Sequence, residues 1–346
     1  MMFGKKNKGF CVDFGDQAVL LARTNQERAP LVVEEIKEFA TADPEGLQTY
    51  LQSAEGRGPT GYAHSSCGIF PAKRLIRRQA LDLKKIKEPT YFKEIISQQF
   101  RLEADKYTTQ ILNPADGSDF ESAKGTPKEA LFCGMPAEDI IGWQDRLLEL
   151  GVYPERLELG SLALLGALAN YQKFKDSKIP VLLLEIGDDA TQSYIVSADG
   201  IEVTRPIASG IAAMIPIVQK ELGLKDEESA KKLFYSNTFD FTSMGGTLVK
   251  KLLKELHSSI GFYEVQTGQT VGLVLTTQLP PNLAWLGGTI ASGLGVSSLK
   301  VDLLPWLESL GITFAADVAT DHLDERWIGL FGLMAAYEYA PPAEKA

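Results

Sequence analysis

Cysteine and histidine are scarce in this 346-residue chain, with three of each. Cys11, Cys67 and Cys133 lie far apart in apolar stretches. An odd number without CxxC spacing excludes a disulfide framework or a zinc ribbon and predicts buried, reduced thiols. His64, His257 and His322 are scattered without a metal-ligand pattern. A basic excess is also missing, since 35 Lys and Arg stand against 45 Asp and Glu, a formal charge of −10. Nucleic-acid binding draws most of its affinity from a cationic field, so no nucleic-acid partner is expected. The one basic cluster, Lys5, Lys6 and Lys8, reads as a solubilising terminus. No apolar run of ~18 residues and no N-terminal apolar core occur, so the expectation is a soluble, cytoplasmic chain. Neither Gly turn leads into a helix with GxGxxG spacing, and no nucleophile elbow exists, which excludes dinucleotide and Ser/His/Asp hydrolase chemistry.

What is present suits a globular α/β protein of about two domains of ~150 residues, with 45% hydrophobic and 23% charged residues. Residues 9–15 read as a buried strand ending in a tight turn, followed by strands Ala18–Thr24 and Leu31–Phe39. Asp43-Pro44 opens a helix to Ala54, and a strand near Tyr62–Phe70 closes this βββαβ unit. Arg74–Leu83 then reads as a strand, and Thr90–Lys106 as a helix with Phe92, Ile95, Ile96 and Phe100 on one face. Residues 113–127 form a turn-rich loop. Strand Ala130–Met135 and helix Ala137–Leu150 complete a small α+β segment. After a strand near Arg156–Gly160 and a helix Ser161–Tyr171, the second half repeats the opening. It runs as strands Val181–Ile186, Gln192–Val196 and Ile201–Pro206, with Asp199-Gly200 as a hairpin turn. Helices at Gly210–Leu222, Asp226–Tyr235 and Leu248–Gln266, strand Leu273–Thr276 and further helices near Ala284–Gly293, Pro305–Leu310 and Glu325–Tyr339 follow.

The repeat carries the functional content. Val12-Asp13-Phe14-Gly15 and Leu184-Glu185-Ile186-Gly187 each end a hydrophobic strand with an acid, an apolar residue and Gly, then turn into another strand. Gly lets backbone amides approach a phosphate, and the acid can hold hydrated magnesium. One such motif is an ordinary strand end. Two in matching positions point to a nucleotide clamp.

In this arrangement the chain resembles the actin-like superfamily and, within it, the PilM-like type IV pilus assembly proteins, relatives of FtsA. The resemblance rests on ordered segments across nearly the full length. They are Cys67-Gly-Ile-Phe-Pro followed by Leu75-Ile-Arg-Arg, then Thr90–Tyr107, and Gly151-Val-Tyr-Pro-Glu-Arg-Leu-Glu-Leu-Gly-Ser-Leu. Ile186-Gly187 with Thr191, Glu227-Glu228-Ser-Ala-Lys-Lys-Leu, and Leu256–Gln266 complete the set. It implies an actin-like (ribonuclease H-like) two-lobed fold with a small α+β insertion in lobe one. Lobe one is 1–71 and 151–178, the insertion 72–150, lobe two 179–340, and 341–346 a tail.

The nucleotide site departs from the family pattern. Asp16, Gln17 and Leu20 stand where small hydroxyl residues and a lysine are usual, Glu185 replaces an aspartate, and Asp188-Asp189 adds acids. Each close carboxylate–phosphate pair costs roughly 1 kcal/mol or more at an effective dielectric of ~20. Thr277-Gln-Leu-Pro-Pro281 replaces the glycine run that approaches adenosine, stiffening the turn and removing amide donors. Gly287-Gly288 follows downstream. The resemblance thus implies a vestigial nucleotide cleft at Asp13, Gly15, Asp16, Gln17, Glu185, Gly187, Asp188, Thr191 and Gly210. Asp13 is the magnesium-side residue, and neither ATP nor magnesium is expected to be a working cofactor. It further implies a non-enzymatic scaffold of pilus or related secretion assembly at the inner face of the inner membrane. That scaffold binds the N-terminal cytoplasmic tail of a PilN-like bitopic membrane protein in a cleft between lobe one and the insertion. Ile69, Leu75, Arg77, Ile96 and Phe100 are the expected partner-binding residues. The alternatives are an actin-like ATPase or small-molecule kinase using Mg-ATP, and a filament-forming protein.

Overall fold

The computed structural model describes residues 9–16, 18–27, 29–41, 43–122, 127–236 and 238–335. Gln17, the Lys5–Lys8 cluster and the chain beyond Ala335 lie outside the described residues. The strands, in chain order, begin with β1 (Gly9–Phe14), β2 (Ala18–Thr24), β3 (Leu31–Ala40) and β4 (Ala63–Ile69). Next come β5 (Leu75–Ala80), β6 (Tyr107–Leu112), β7 (Glu129–Pro136) and β8 (Val152–Leu159). The last are β9 (Val181–Ile186), β10 (Thr191–Ser197), β11 (Gly200–Ile207), β12 (Leu273–Thr277), β13 (Ser297–Ser298) and β14 (Ile312–Phe314). The chain divides into two compact units: residues 1–74, 136–168 and 302–346, and residues 75–135 and 169–301.

The first unit carries a sheet of order β14-β3-β2-β1-β4-β8. Its centre, β1, is buried at every position, as a strand covered on both faces must be. β1 runs antiparallel to β2, with Phe14 opposite Val19, and parallel to β4. The helix Pro44–Ser53 starts where the sequence predicts it. Asp43 caps it by accepting the Gly46 amide (3.0 Å), with Pro at the first turn. Helix Ala137–Glu149 packs on β8, bringing Trp143 edge-on to Phe14 at 5.9 Å.

The C-terminal segment also belongs to this unit. β14 pairs in parallel with β3, Ile312 opposite Leu31, and helix Ile328–Met334 packs on β1 and β4. By sequence this segment reads as part of lobe two. Pairing across some 280 residues leaves no local periodicity to read.

The second unit repeats the arrangement, with order β11-β10-β9-β12-β13. β9 is again buried throughout, antiparallel to β10 and parallel to β12. Numbered within their own units, the two five-strand cores share the order 3-2-1-4-5. The repeat read from the two hairpins is therefore a repeat of topology. Helices Ile215–Leu222, Glu227–Phe234, Lys250–Thr267 and Trp285–Leu294 surround the core of this sheet.

Residues 75–135 form a three-stranded sheet, β5-β7-β6, over a core of Leu75, Tyr91, Ile95, Ile96, Phe120, Ala130 and Phe132. The helix predicted over Thr90–Lys106 is shorter. Tyr91–Glu94 is α-helical, Ile95–Gln99 widens to a π-turn, and Arg101 takes φ 57°. That widening seats Phe92 and Phe100 against Phe132 at 5.9 and 5.3 Å, and ends the helix where tertiary packing outweighs propensity. β6, which falls between that helix and the turn-rich loop where no element was expected, is an outer strand of the sheet.

The small sheet is fastened to β11 within the same unit. The Arg78 amide donates to Thr204 Oγ1 (2.9 Å), and its guanidinium to the Ile201 carbonyl (2.9 Å) and Glu202 (3.0 Å). The same guanidinium pairs with Glu129. Gly200, at φ +114°, lets the Pro114 carbonyl in, accepting the Ile201 amide at 2.9 Å; a Cβ there would sit 2.2 Å from that carbonyl. Arg78→Ala leaves two carboxylates without their cation, costing about 2–3 kcal/mol at this partly buried site. A lowered urea midpoint measures this, and Arg78→Lys, lacking the planar fork, recovers only part of it.

Candidate functional site

The first hairpin places Asp13 opposite Leu20, one residue before the strand end. Its carboxylate is 5% exposed. Three glycines close round it, because a Cβ at Gly68, Gly160 or Gly329 would lie 2.7, 3.0 or 2.9 Å from an Asp13 oxygen. These come from β4, the start of helix Gly160–Phe174 and helix Ile328–Met334. Gly15 accepts the Thr41 hydroxyl at 3.0 Å, and Asp16 is exposed at the turn.

The second hairpin has the same plan with its polar groups engaged. Glu185 is 1% exposed and accepts the Tyr194 hydroxyl at 3.3 Å. The Gly187 carbonyl accepts the Ile211 amide (3.0 Å), and the Asp188 carbonyl the Ala212 amide (2.9 Å). Gly210 permits this approach; a Cβ there would sit 2.3 Å from the Gly187 carbonyl. Thr191, fully buried, donates to the Ser209 carbonyl at 2.8 Å. Amides at the start of the following helical turn thus point into the hairpin's own carbonyls. Glu185, Gly187, Asp188, Thr191 and Gly210 do come together, as a self-satisfied turn.

Tyr235 joins this group and had no sequence signal. Its hydroxyl donates to Asp188 Oδ1 at 2.9 Å, while its carbonyl accepts the Asn282 side-chain amide. Nothing local connects residues 188, 235 and 282; only packing of the helix Glu227–Phe234 does. Beside the pair lies an open cavity of about 240 Å³ lined by Asp188, Ala212, Ile215, Glu227, Glu228, Lys231 and Tyr235. Three carboxylates against one lysine make it unfavourable for a triphosphate.

After β12, Gln278 takes φ 64° and Pro280-Pro281 open a short 3-10 turn into helix Trp285–Leu294. Gly287 and Gly288 lie inside that helix. Gly287 lets it approach β12, where a Cβ would meet Thr276 Oγ1 at 2.5 Å. This glycine serves helix–strand packing.

The expected partner-binding residues separate by burial. Ile69, Leu75 and Ile96 are 0, 2 and 2% exposed, so they support the fold from within and line no open surface. Phe100 is half-buried against Phe132. Arg77 is half-buried too, donating to the Ile76 carbonyl at 2.9 Å, and burial lowers its pKa. Arg78, the next residue of β5, is committed to Glu129 and Glu202.

The cysteines are free and buried, and burial pushes the Cys11 thiol up to about 12, consistent with inert packing residues. Among the described residues, no group of three or more His, Cys, Asp and Glu is placed to hold a metal ion. No helix of the described residues is long and apolar enough to cross a membrane.

Burial, then the Asp188 carboxylate, raises the Tyr235 pKa above its ordinary 10.0. A raised folded pKa means that the pair's contribution is complete below pH 10 and is lost as pH climbs through the folded value. Tyr235→Phe is expected to lose about 0.5–1 kcal/mol, modest because Asp188 faces solvent. The gap in urea midpoint between the two proteins should hold constant up to about pH 10 and narrow above it.

No protein-family model matches the sequence, and no curated protein matches it at the level of sequence. Solved structures do match. A chain of the "PilM-PilN type IV pilus biogenesis complex" superposes with TM-score 0.65 at 15% identity, covering 94% of this chain and 97% of that one. A protein of actin-like ATPase fold and unknown function from Bacteroides thetaiotaomicron matches with TM-score 0.42 at 9% identity, covering 85% and 91%. Ta0583, an archaeal actin homolog, matches with TM-score 0.43 at 8% identity, covering 95% and 98%. With the repeated hairpin cores already described, the chain has the actin-like fold.

Proposed function

We propose that this chain is a non-enzymatic scaffold of type IV pilus or related secretion assembly. It works at the cytoplasmic face of the inner membrane and binds the short cytoplasmic tail of a PilN-like bitopic membrane protein. The observation that carries the reading is the near-complete match, over 94% of this chain, to a chain of the PilM-PilN complex. Identity of 15% makes that a likeness of fold, so the partner rests on this proposal.

The hairpins support a role without nucleotide chemistry. Amides that would cradle a phosphate are taken by Gly187 and Asp188, and Asp13 has glycine backbone pressed against both its oxygens. Hydrated magnesium keeps most of its waters and needs room for them. The partner's tail needs a donor that the fold has not used. Arg77 has no carboxylate partner among the described residues, and its guanidinium is already largely desolvated, so a peptide carbonyl or carboxylate gains a charge-assisted bond there.

Calorimetry of the full chain with the N-terminal peptide of a PilN-like protein tests the reading. Micromolar binding is expected, weakened about tenfold by Arg77→Ala, with no heat from millimolar Mg-ATP. Absence of peptide binding, or micromolar Mg-ATP binding removed by Asp13→Asn, would replace the scaffold with the nucleotide-using alternative.

A further inference from the structure

Helix Lys250–Thr267 is the longest of the second unit, and only one of its faces is used in packing. Leu252, Leu256, Ser259 and Tyr263 are buried at helical spacing. On another face, Lys251, Lys254, Ser258, Phe262 and Val265 recur at intervals of three and four. At 3.6 residues per turn they fall within an arc of about 80° and run about 21 Å. All five are exposed, Phe262 at 64% and Val265 at 88%, the barest of the large hydrophobic side chains.

The stripe is cationic at one end and apolar at the other. Lys250, Lys251 and Lys254 make no ion pair among the described residues. The helix's own acids are turned to other tasks: Glu255 pairs with Arg205 at 2.6 Å, and Glu264 accepts the Val271 amide at 3.0 Å. The neighbouring helix Trp285–Leu294 packs alongside, with position 293 against Leu253, and its segment WLGGTIASGL holds no charged residue. Its outward positions, Gly288 and Ser292, are small and uncharged. In a chain of net charge −10, this face therefore presents Lys251 and Lys254, with Lys250 at its edge, and no acid between them.

We infer that this face rests directly on an anionic lipid bilayer, the lysines over headgroup phosphates and Phe262 and Val265 in the interfacial region. Charge complementarity selects the occupant. Two apolar side chains on a convex helix are too few for the core of a protein interface, which needs a contiguous patch of several hundred Å². They suffice for shallow insertion beside a line of lysines. This goes beyond the scaffold reading, in which the membrane is reached only through a partner.

Sedimentation of the full chain with phosphatidylglycerol-containing vesicles, and with pure phosphatidylcholine vesicles, tests the inference without any partner present. Binding to the anionic vesicles alone is expected, reversed by high salt as surface charges are screened. Lys251→Glu with Lys254→Glu should weaken it by well over tenfold, each lost lysine removing about fivefold. Phe262→Ser with Val265→Ser, which only increases surface polarity, should weaken it while leaving the circular dichroism unchanged. Equal binding to neutral vesicles, or binding indifferent to both variants, would overturn it. So would a dimer in lipid-free solution that Phe262→Ser with Val265→Ser dissolves, which would assign the face to a second copy. Peptide calorimetry on the lysine variant separates the two readings: retained peptide binding leaves the scaffold standing whatever the vesicles show.

Discussion

Two central strands, β1 and β9, are buried along their whole length, and each must bury a carboxylate one residue before it ends. A carboxylate in such a place costs free energy unless hydrogen bonds or charges meet it, so what approaches it matters. At Asp13 the approach is made by three glycines from a strand and two helices, one of them in the C-terminal segment. Helix Ile328–Met334 of that segment packs on β1 and β4, and β14 pairs along β3. A side chain at any of the three positions would push the layers apart.

The second unit meets the same constraint differently. Its hairpin turns its carbonyls toward the next helical turn and receives the Ile211 and Ala212 amides. Tyr235 ties down Asp188, and Pro280-Pro281 carry the chain from β12 into a helix whose Gly287 serves packing. Each contact satisfies a backbone or side-chain group internally. The sheet's stability resides in the buried strands, not in these turns.

Outside the hairpins, charged side chains divide by the surface they face. Arg78 is committed to fastening the small sheet to β11, whereas its half-buried neighbour Arg77 pairs with no carboxylate among the described residues. Successive residues of a strand face opposite sides, so adjacent arginines can take opposite roles. On the helix Lys250–Thr267 the same division operates with a period of 3.6, one face committed to the core and another carrying lysines and bare apolar groups.

The sequence by itself determined the elements and their repetition. Gly15 and Gly187 marked the hairpins, alternation and apolar runs located nearly every strand, and Asp43-Pro44 located a capped helix. These are local signals, carried within a few residues by turn chemistry and periodicity. It also marked the acids and prolines that set this chain apart from a nucleotide-binding pattern. Only the tertiary structure decided which of the marked residues stayed accessible. Ile69, Leu75 and Ile96, which the resemblance implied as partner-binding, are core, because likeness of sequence segments does not show which side chains the packing covers. The Tyr235–Asp188 pair, the return of β14 to β3, and the π-turn that ends the helix at Phe100 each join segments through packing. Contacts of that kind are set by the shape of the whole unit, and no short stretch of sequence encodes them.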